Sequence, residues 1–330
     1  MSKFKITAML LSIVLIVTGM TACGQNASAS AATDGRIKIV CTIFPEYDWV
    51  KQILGSKADK AEVTYLLSNG IDLHNFQPTA DDIIKISSCD LFLYVGGESD
   101  EWAEDALSNA SNKNMKVISL LDSVGENAKI EEIKEGMQGE EEEENDGGEE
   151  DPEYDEHVWL SVRSAKLICT EICDKLCGID PTNAETYKNN LAAYTNELNA
   201  LDKDFEATVS AAAVKTVIFG DRFPFRYFTD DYGLDYYAAF AGCSAETEAS
   251  FETIVFLAGR VDDIGCKTIY TIENSDKSIA QTIINSTKTK DQQIAELNSL
   301  QSIGSEQADS GTTYISLMRN NLEVLKETLK

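Results

Sequence analysis

The sequence predicts an α/β protein of two similar lobes with central, mostly parallel sheets, joined by one long helix. Short apolar runs alternate with helical segments before residue 179 and again after residue 213, the pattern of strands covered by crossover helices. Between the halves, Tyr187, Leu191, Tyr194, Leu198, Leu201 and Phe205 recur at spacings of 4, 3, 4, 3 and 4, one apolar stripe on one helix. The size agrees, since 330 residues with 43% apolar side chains can fill two medium cores.

In the first lobe, expected over residues 36–178, Arg36–Phe44 reads as a strand, followed by Pro45 and a helix to Leu54. Val63–Leu67 is a second strand, opening into the loop Ser68–Pro78 that carries His74. Thr79 caps a helix with acids in its first turn. Asp90–Val95, closed by Gly96 and Gly97, and Lys116–Leu120 are further strands. Glu140–Glu156 carries twelve acids, no base and no apolar pattern, so residues 138–155 are expected to be a solvated loop. Order returns at His157–Leu160.

Asp180 and Pro181 start the linking helix of residues 179–213, roughly 45 Å long at 1.5 Å per residue. In the second lobe, residues 214–330, strands are expected at Val214–Phe219, Tyr236–Phe240 and Lys267–Ile272. Helices are expected at Pro224–Tyr232, Ser250–Ile264 and Gly311–Leu329.

The N-terminus reads as an address. Lys3 and Lys5, the apolar run Ile6–Val17 and the small residues before Cys23 match a secretory signal over residues 1–22. An end at cysteine resembles a bacterial lipobox, which implies lipidation of Cys23 and anchoring of the chain to a membrane through that lipid. Residues 23–35 then form a flexible tether of small polar residues. Seven cysteines remain, an odd number set mostly in apolar patterns, which is no disulfide framework. Cys169, Cys173 and Cys177 share one helical face and suit either core packing or a soft metal, with packing favoured.

Charge narrows the partners. A formal net charge of −28 argues against nucleic acid, whose phosphates need a basic patch, and favours cations. Ligands of open α/β sheets bind beyond the carboxyl ends of strands. The loops there carry His74, His157, Asp221 and Glu273, with Asp276 just beyond. Two imidazoles with one or two carboxylates suffice for Zn²⁺ and are acceptable for Mn²⁺. The alternative for each histidine is an ordinary polar side chain with a hydrogen-bond partner; for Asp221 it is a helix cap.

Asp72-Leu-His74-Asn-Phe-Gln-Pro78 and Asp155-Glu-His157-Val-Trp-Leu160 resemble two motifs of zinc and manganese ABC-transporter solute-binding proteins, Asp-Pro-His-x-Tyr-Glu-Pro and Asp-Pro-His-x-Trp-Leu. Phe225-Arg-Tyr-Phe with Tyr232-Gly-Leu, and Glu248-Ala-Ser250, are similar to later segments of that family. The resemblance runs from about Lys38 to Leu329. It implies that the long helix is rigid, that the metal sits in the cleft between the lobes, and that His74 and His157 are ligands. The family's third ligand, His or Glu, falls on Arg222 when counted back from Tyr227 and on Gly220 when counted from the strand; neither can ligate, which leaves Asp221 between them. For the fourth, Glu273 is preferred to Asp276.

The expected function is therefore high-affinity extracytoplasmic capture of a divalent transition metal, zinc favoured over manganese, and its delivery to an ABC permease by a lipid-anchored monomer. A surface adhesin with a degenerate metal site is the alternative. A secreted zinc hydrolase is less favoured, because no His-Glu-x-x-His helix is present.

Overall fold

A computed structural model describes residues 35–138, 153–244 and 248–330. The signal segment, the tether up to residue 34 with Cys23, residues 139–152 of the acidic loop and residues 245–247 lie outside the described residues.

The first lobe runs β1 (Ile37–Cys41), α1 (Phe44–Leu54), β2 (Ala61–Tyr65), α2 (Ala80–Ser88), β3 (Leu91–Tyr94), α3 (Trp102–Ser108), β4 (Lys116–Ser119), α4 (Leu120–Val124) and α5 (Val162–Ile179). The 28-residue helix α6 (Ala184–Ala211) follows, about 42 Å long at 1.5 Å per residue. The second lobe runs β5 (Thr216–Phe223), α7 (Arg226–Tyr232), β6 (Asp235–Ala241), α8 (Phe251–Ile264), β7 (Thr268–Thr271), α9 (Ser278–Ser286), β8 (Gln293–Glu296), α10 (Ser305–Asp309) and α11 (Tyr314–Thr328).

Both sheets are parallel throughout and have the same order, β2-β1-β3-β4 and β6-β5-β7-β8. The order reverses between β1 and β3 and between β5 and β7, and a crevice opens beyond the carboxyl ends at such a point. In this equivalence the loop after β2, which carries His74, corresponds to the loop after β6. Edge strand β8 was not expected: its four residues are exposed or only half-buried, so no apolar run marks it.

Most of the stripe on α6 does bury. Tyr187, Tyr194, Leu198, Leu201 and Phe205 are in the core, Leu191 is half-buried against it, and Phe205 meets Phe228 edge-on with ring centroids 5.0 Å apart. Cys169 and Cys173 are buried on α5, as the packing reading expects. The C-terminal α11 folds back onto the first lobe. Tyr314 packs against Trp49 at 5.1 Å, its main-chain N–H donates to Asp48 (2.8 Å), and its hydroxyl donates to the carbonyl of Trp159 (2.8 Å). The Trp159 indole in turn donates to the carbonyl of Ser299 (2.9 Å). Both tryptophans and Tyr314 are fully buried, so these contacts clamp the lobes from inside. Among the described residues no helix is long and apolar enough to cross a membrane.

Two expectations are corrected. Gly220, Asp221 and Arg222 lie inside β5, not in a loop beyond it, because the strand continues to Phe223 through an irregularity between Phe219 and Arg222. At the far end of the acidic run, Asp155 and Glu156 are buried rather than solvated. Main-chain bonds explain it: Glu131 N–H donates to the Glu153 carbonyl (2.9 Å), and Asp155 N–H to that of Lys129 (2.8 Å).

Candidate metal centre

His74 and His157 meet at the crevice with their Nε2 atoms 3.2 Å apart. Each is placed by an aspartate two residues earlier. Asp72 caps the short turn Leu73–Asn75 by accepting from the His74 main-chain N–H (3.1 Å). Asp155 accepts from both the main-chain N–H of His157 (2.8 Å) and its Nδ1 (3.0 Å). A carboxylate only accepts, so His157 Nδ1 carries a proton and its Nε2 faces the crevice. His74 Nδ1 lies 2.7 Å from the hydroxyl of Ser99, which turns its Nε2 the same way. Trp159 backs the His157 ring at 5.1 Å, and His157 is fully buried.

The two imidazoles differ in basicity. Burial, then the neighbouring His157, holds His74 well below the ordinary imidazole range. Burial also works against charge on His157, but Asp155, with Glu156 and Glu131, outweighs it and the balance is upward. The two Nε2 atoms are the ones that would hold a divalent cation. Gln301 sits beside the pair: with its amide turned to suit both neighbours, its oxygen accepts from His157 Nε2 (2.7 Å) and its nitrogen donates to Asp72 (2.9 and 3.0 Å).

Among the described residues, the group whose ligand atoms all lie within 4.8 Å of one another is His74, His157 and Cys243. Cys243 follows β6, at a strand end; the odd cysteine count and a position just after an apolar run were the only signals for it in the sequence.

The expected carboxylates stand outside this group. Asp221 accepts from the main-chain N–H groups of Arg222 (2.9 Å) and Ile272 (3.3 Å), joining β5 to the end of β7. Glu273 accepts from the main-chain N–H (2.6 Å) and hydroxyl (2.7 Å) of Ser299, fixing the turn that receives the Trp159 indole. Burial raises its carboxyl above the usual range. Asp276, fully exposed, accepts from Ser278 N–H (2.8 Å) at the start of α9, a bond that holds its carboxyl below the usual range. All three line an adjoining cavity of about 510 Å³. Arg222 also reaches that cavity, but its guanidinium is paired with Asp72 at 2.6 Å, across the two lobes. Cys173 and Cys177 face each other at 3.9 Å on α5 and take no part.

Glu156 stands where the resembling motif has proline. Its Oε1 accepts from Ser99 N–H (2.8 Å), while its buried Oε2 has no hydrogen-bond partner and lies 3.6 Å from His74 Nδ1. Burial raises its carboxyl above the usual range.

Residues 39–328 match the family described as "ZnuA: Zinc-uptake complex component A periplasmic". Over 330 residues the chain is 33% identical to the zinc-binding lipoprotein AdcA of Streptococcus pneumoniae serotype 4, covering 98% of this chain and 61% of that protein. It is 29% identical over 313 residues to the high-affinity zinc uptake system protein ZnuA of Bacillus subtilis, covering 94% and 93%. The chain spans only 56% of the length of AdcA from Streptococcus pyogenes serotype M3. The crystal structure of the Zn(II)-bound ZnuA-like domain of S. pneumoniae AdcA superposes with a TM-score of 0.69 at 30% identity, covering 89% of this chain and 99% of that one. With this match over almost its whole length, the chain belongs to the zinc-uptake complex component A periplasmic family.

Proposed function

We propose that the chain captures a divalent transition metal, zinc in preference to manganese, on the outer side of the cytoplasmic membrane and delivers it to an ABC permease. The observation that carries this is the pair of imidazole Nε2 atoms 3.2 Å apart, each backed by its own hydrogen-bonded partner at Nδ1. Taking a divalent ion out of water is costly unless several polar ligands replace its hydration shell. Here the first two are already turned inward, and His157 is held by a carboxylate in the arrangement that orients and strengthens a metal-binding histidine. The zinc in the names of AdcA and ZnuA, and the bound Zn(II) of the AdcA domain, support zinc as the ion. No step of this task requires catalysis.

Both lobes meet at the site, so a bound ion stabilises one arrangement of the lobes that a permease can recognise. Lipid on Cys23 would keep the loaded protein at the membrane surface.

Zinc titration against a competing chelator tests the reading. His74→Ala and His157→Ala should each weaken binding by at least about 100-fold, more than loss of an outer-shell partner costs. Zinc binding that is unchanged in both variants refutes it.

A further inference from the structure

We infer that Cys243 is the third protein ligand of the captured ion, and that its sulfur makes the centre select thiophilic cations over manganese. This rests on the capture reading above and gives it a donor set of two nitrogens and one sulfur.

Placement is the first argument. The Cys243 sulfur lies within 4.8 Å of the ligand nitrogens of both His74 and His157. A close backbone approach brings it there. A Cβ on Gly242 would lie 2.8 Å from His157 Cε1 and 2.9 Å from the carbonyl of Phe223, so only glycine lets the chain pass against the imidazole. The next residue then projects into the group. Its main-chain N–H donates to Glu131 Oε1 (3.2 Å), which pins the loop from the other lobe. Topology agrees, because the loops after β2 and β6 are equivalent in the two sheets and supply His74 and Cys243.

The second argument is what surrounds the group. Arg222 has no lone pair to offer and is turned to Asp72, at 2.6 Å. Asp221 and Glu273 are engaged by main-chain N–H groups. Cys41, Cys89, Cys169, Cys173 and Cys266 are buried and half-buried Cys177 sits beside Cys173, whereas half-buried Cys243 lies beside two histidines. Close by, Glu156 Oε2 is buried without a hydrogen-bond partner, 3.6 Å from His74.

When the ion binds, the thiol proton leaves to solvent and a sulfur lone pair forms the bond to the metal. Thiolate suits zinc and other soft or borderline ions; manganese prefers oxygen ligands.

Cobalt(II) titration of the full metal-free chain reads this directly, because sulfur–cobalt coordination gives an intense near-ultraviolet charge-transfer band. We expect that band in the native chain, its loss in Cys243→Ser, and a fall in zinc affinity for that variant of more than about 100-fold. Excess manganese should not displace the cobalt. Bound cobalt without the band, or equal zinc affinity in Cys243→Ser, overturns the assignment and leaves zinc capture by the histidines standing. A native chain that binds neither zinc nor cobalt overturns both. Should Cys243→Ser fail to fold, as its metal-free thermal unfolding would reveal, the spectrum of the native chain decides alone.

Discussion

Replacing Asp155 by asparagine isolates the part played by a residue that touches no metal. One oxygen of Asp155 receives both the main-chain N–H of His157 (2.8 Å) and its Nδ1–H (3.0 Å), and the side chain is only 3% exposed. Asparagine keeps the shape and one acceptor oxygen, so both contacts survive as neutral hydrogen bonds. The loss is the difference between a charged acceptor, about 1.5–3 kcal/mol, and a neutral one, about 0.5–1.5 kcal/mol. Both bonds are made without the ion, so that difference reaches affinity only through the strength the carboxylate lends to the metal-bound imidazole. Losing such an outer-shell partner costs about 10–100-fold, and asparagine, which keeps the bond, belongs at the tenfold end. The fold should tolerate the change, because the loop is held by main-chain groups. Asp155 N–H donates to the Lys129 carbonyl (2.8 Å), and its own carbonyl accepts from the Tyr227 hydroxyl (2.8 Å). Zinc titration of Asp155→Asn against a competing chelator should thus show roughly tenfold weaker binding with near-native thermal unfolding of the metal-free protein. Zinc affinity within a factor of about two of the native chain would refute the argument, since it would mean that His157 needs no charged partner.

Two further outcomes follow from buried groups away from the centre. Glu46 is fully buried, with one oxygen accepting from Thr42 N–H (2.7 Å) and the other without a partner; burial, then Asp100, pushes its carboxyl up to about 8. A carboxyl raised in the folded state stabilises below its unfolded value, and that contribution is lost as pH climbs to the folded value. Metal-free protein should therefore unfold at lower temperature at about pH 8 than at about pH 5, and Glu46→Gln, which holds the neutral form, should flatten that profile. An unchanged slope in the variant would assign the pH dependence to other groups. Changing Cys169, Cys173 and Cys177 together to alanine should lower the melting temperature by about 2–4 °C per kcal/mol of lost packing and leave zinc stoichiometry unaltered. Loss of a bound zinc would put metal on that helix.

Much of the fold was legible because its signals are local. The stripe from Tyr187 to Phe205 needs only the helical period, and the cap at Thr79 only a hydroxyl followed by acids. Both are present, Thr79 accepting from Asp82 N–H at 3.3 Å. Parallel strands read as apolar runs because helices bury both faces. The same reasoning explains what stayed hidden. β8 sits at an edge with half its surface outside, so it carries no such run. Asp155 and Glu156 look like the end of a charged loop until main-chain partners 24 residues or so upstream are known, and no local pattern encodes those bonds.

The centre divides along the same line. His74 and His157 could be found because a short turn and an aspartate two residues earlier place each one, and both signals lie within a few residues of the histidine. The expected second-lobe ligand could not be counted along its strand. Between Phe219 and Arg222 two residues of β5, Gly220 and Asp221, face one of β6, Ala239, so the strict alternation that assigns side chains to faces breaks there. Counting forward from the apolar run gives Gly220 and counting back from Tyr227 gives Arg222, and neither count reveals what each one does. Gly220 is bare because α9 packs on it: a Cβ there would lie 2.6 Å from the Cα of Ala280. Arg222 bridges to Asp72 and so joins the two lobes by charge at a place where a metal ligand would have joined them through the ion. With that position taken by a cation, the residue of the second lobe whose ligand atom comes near the histidines is Cys243, two residues beyond β6.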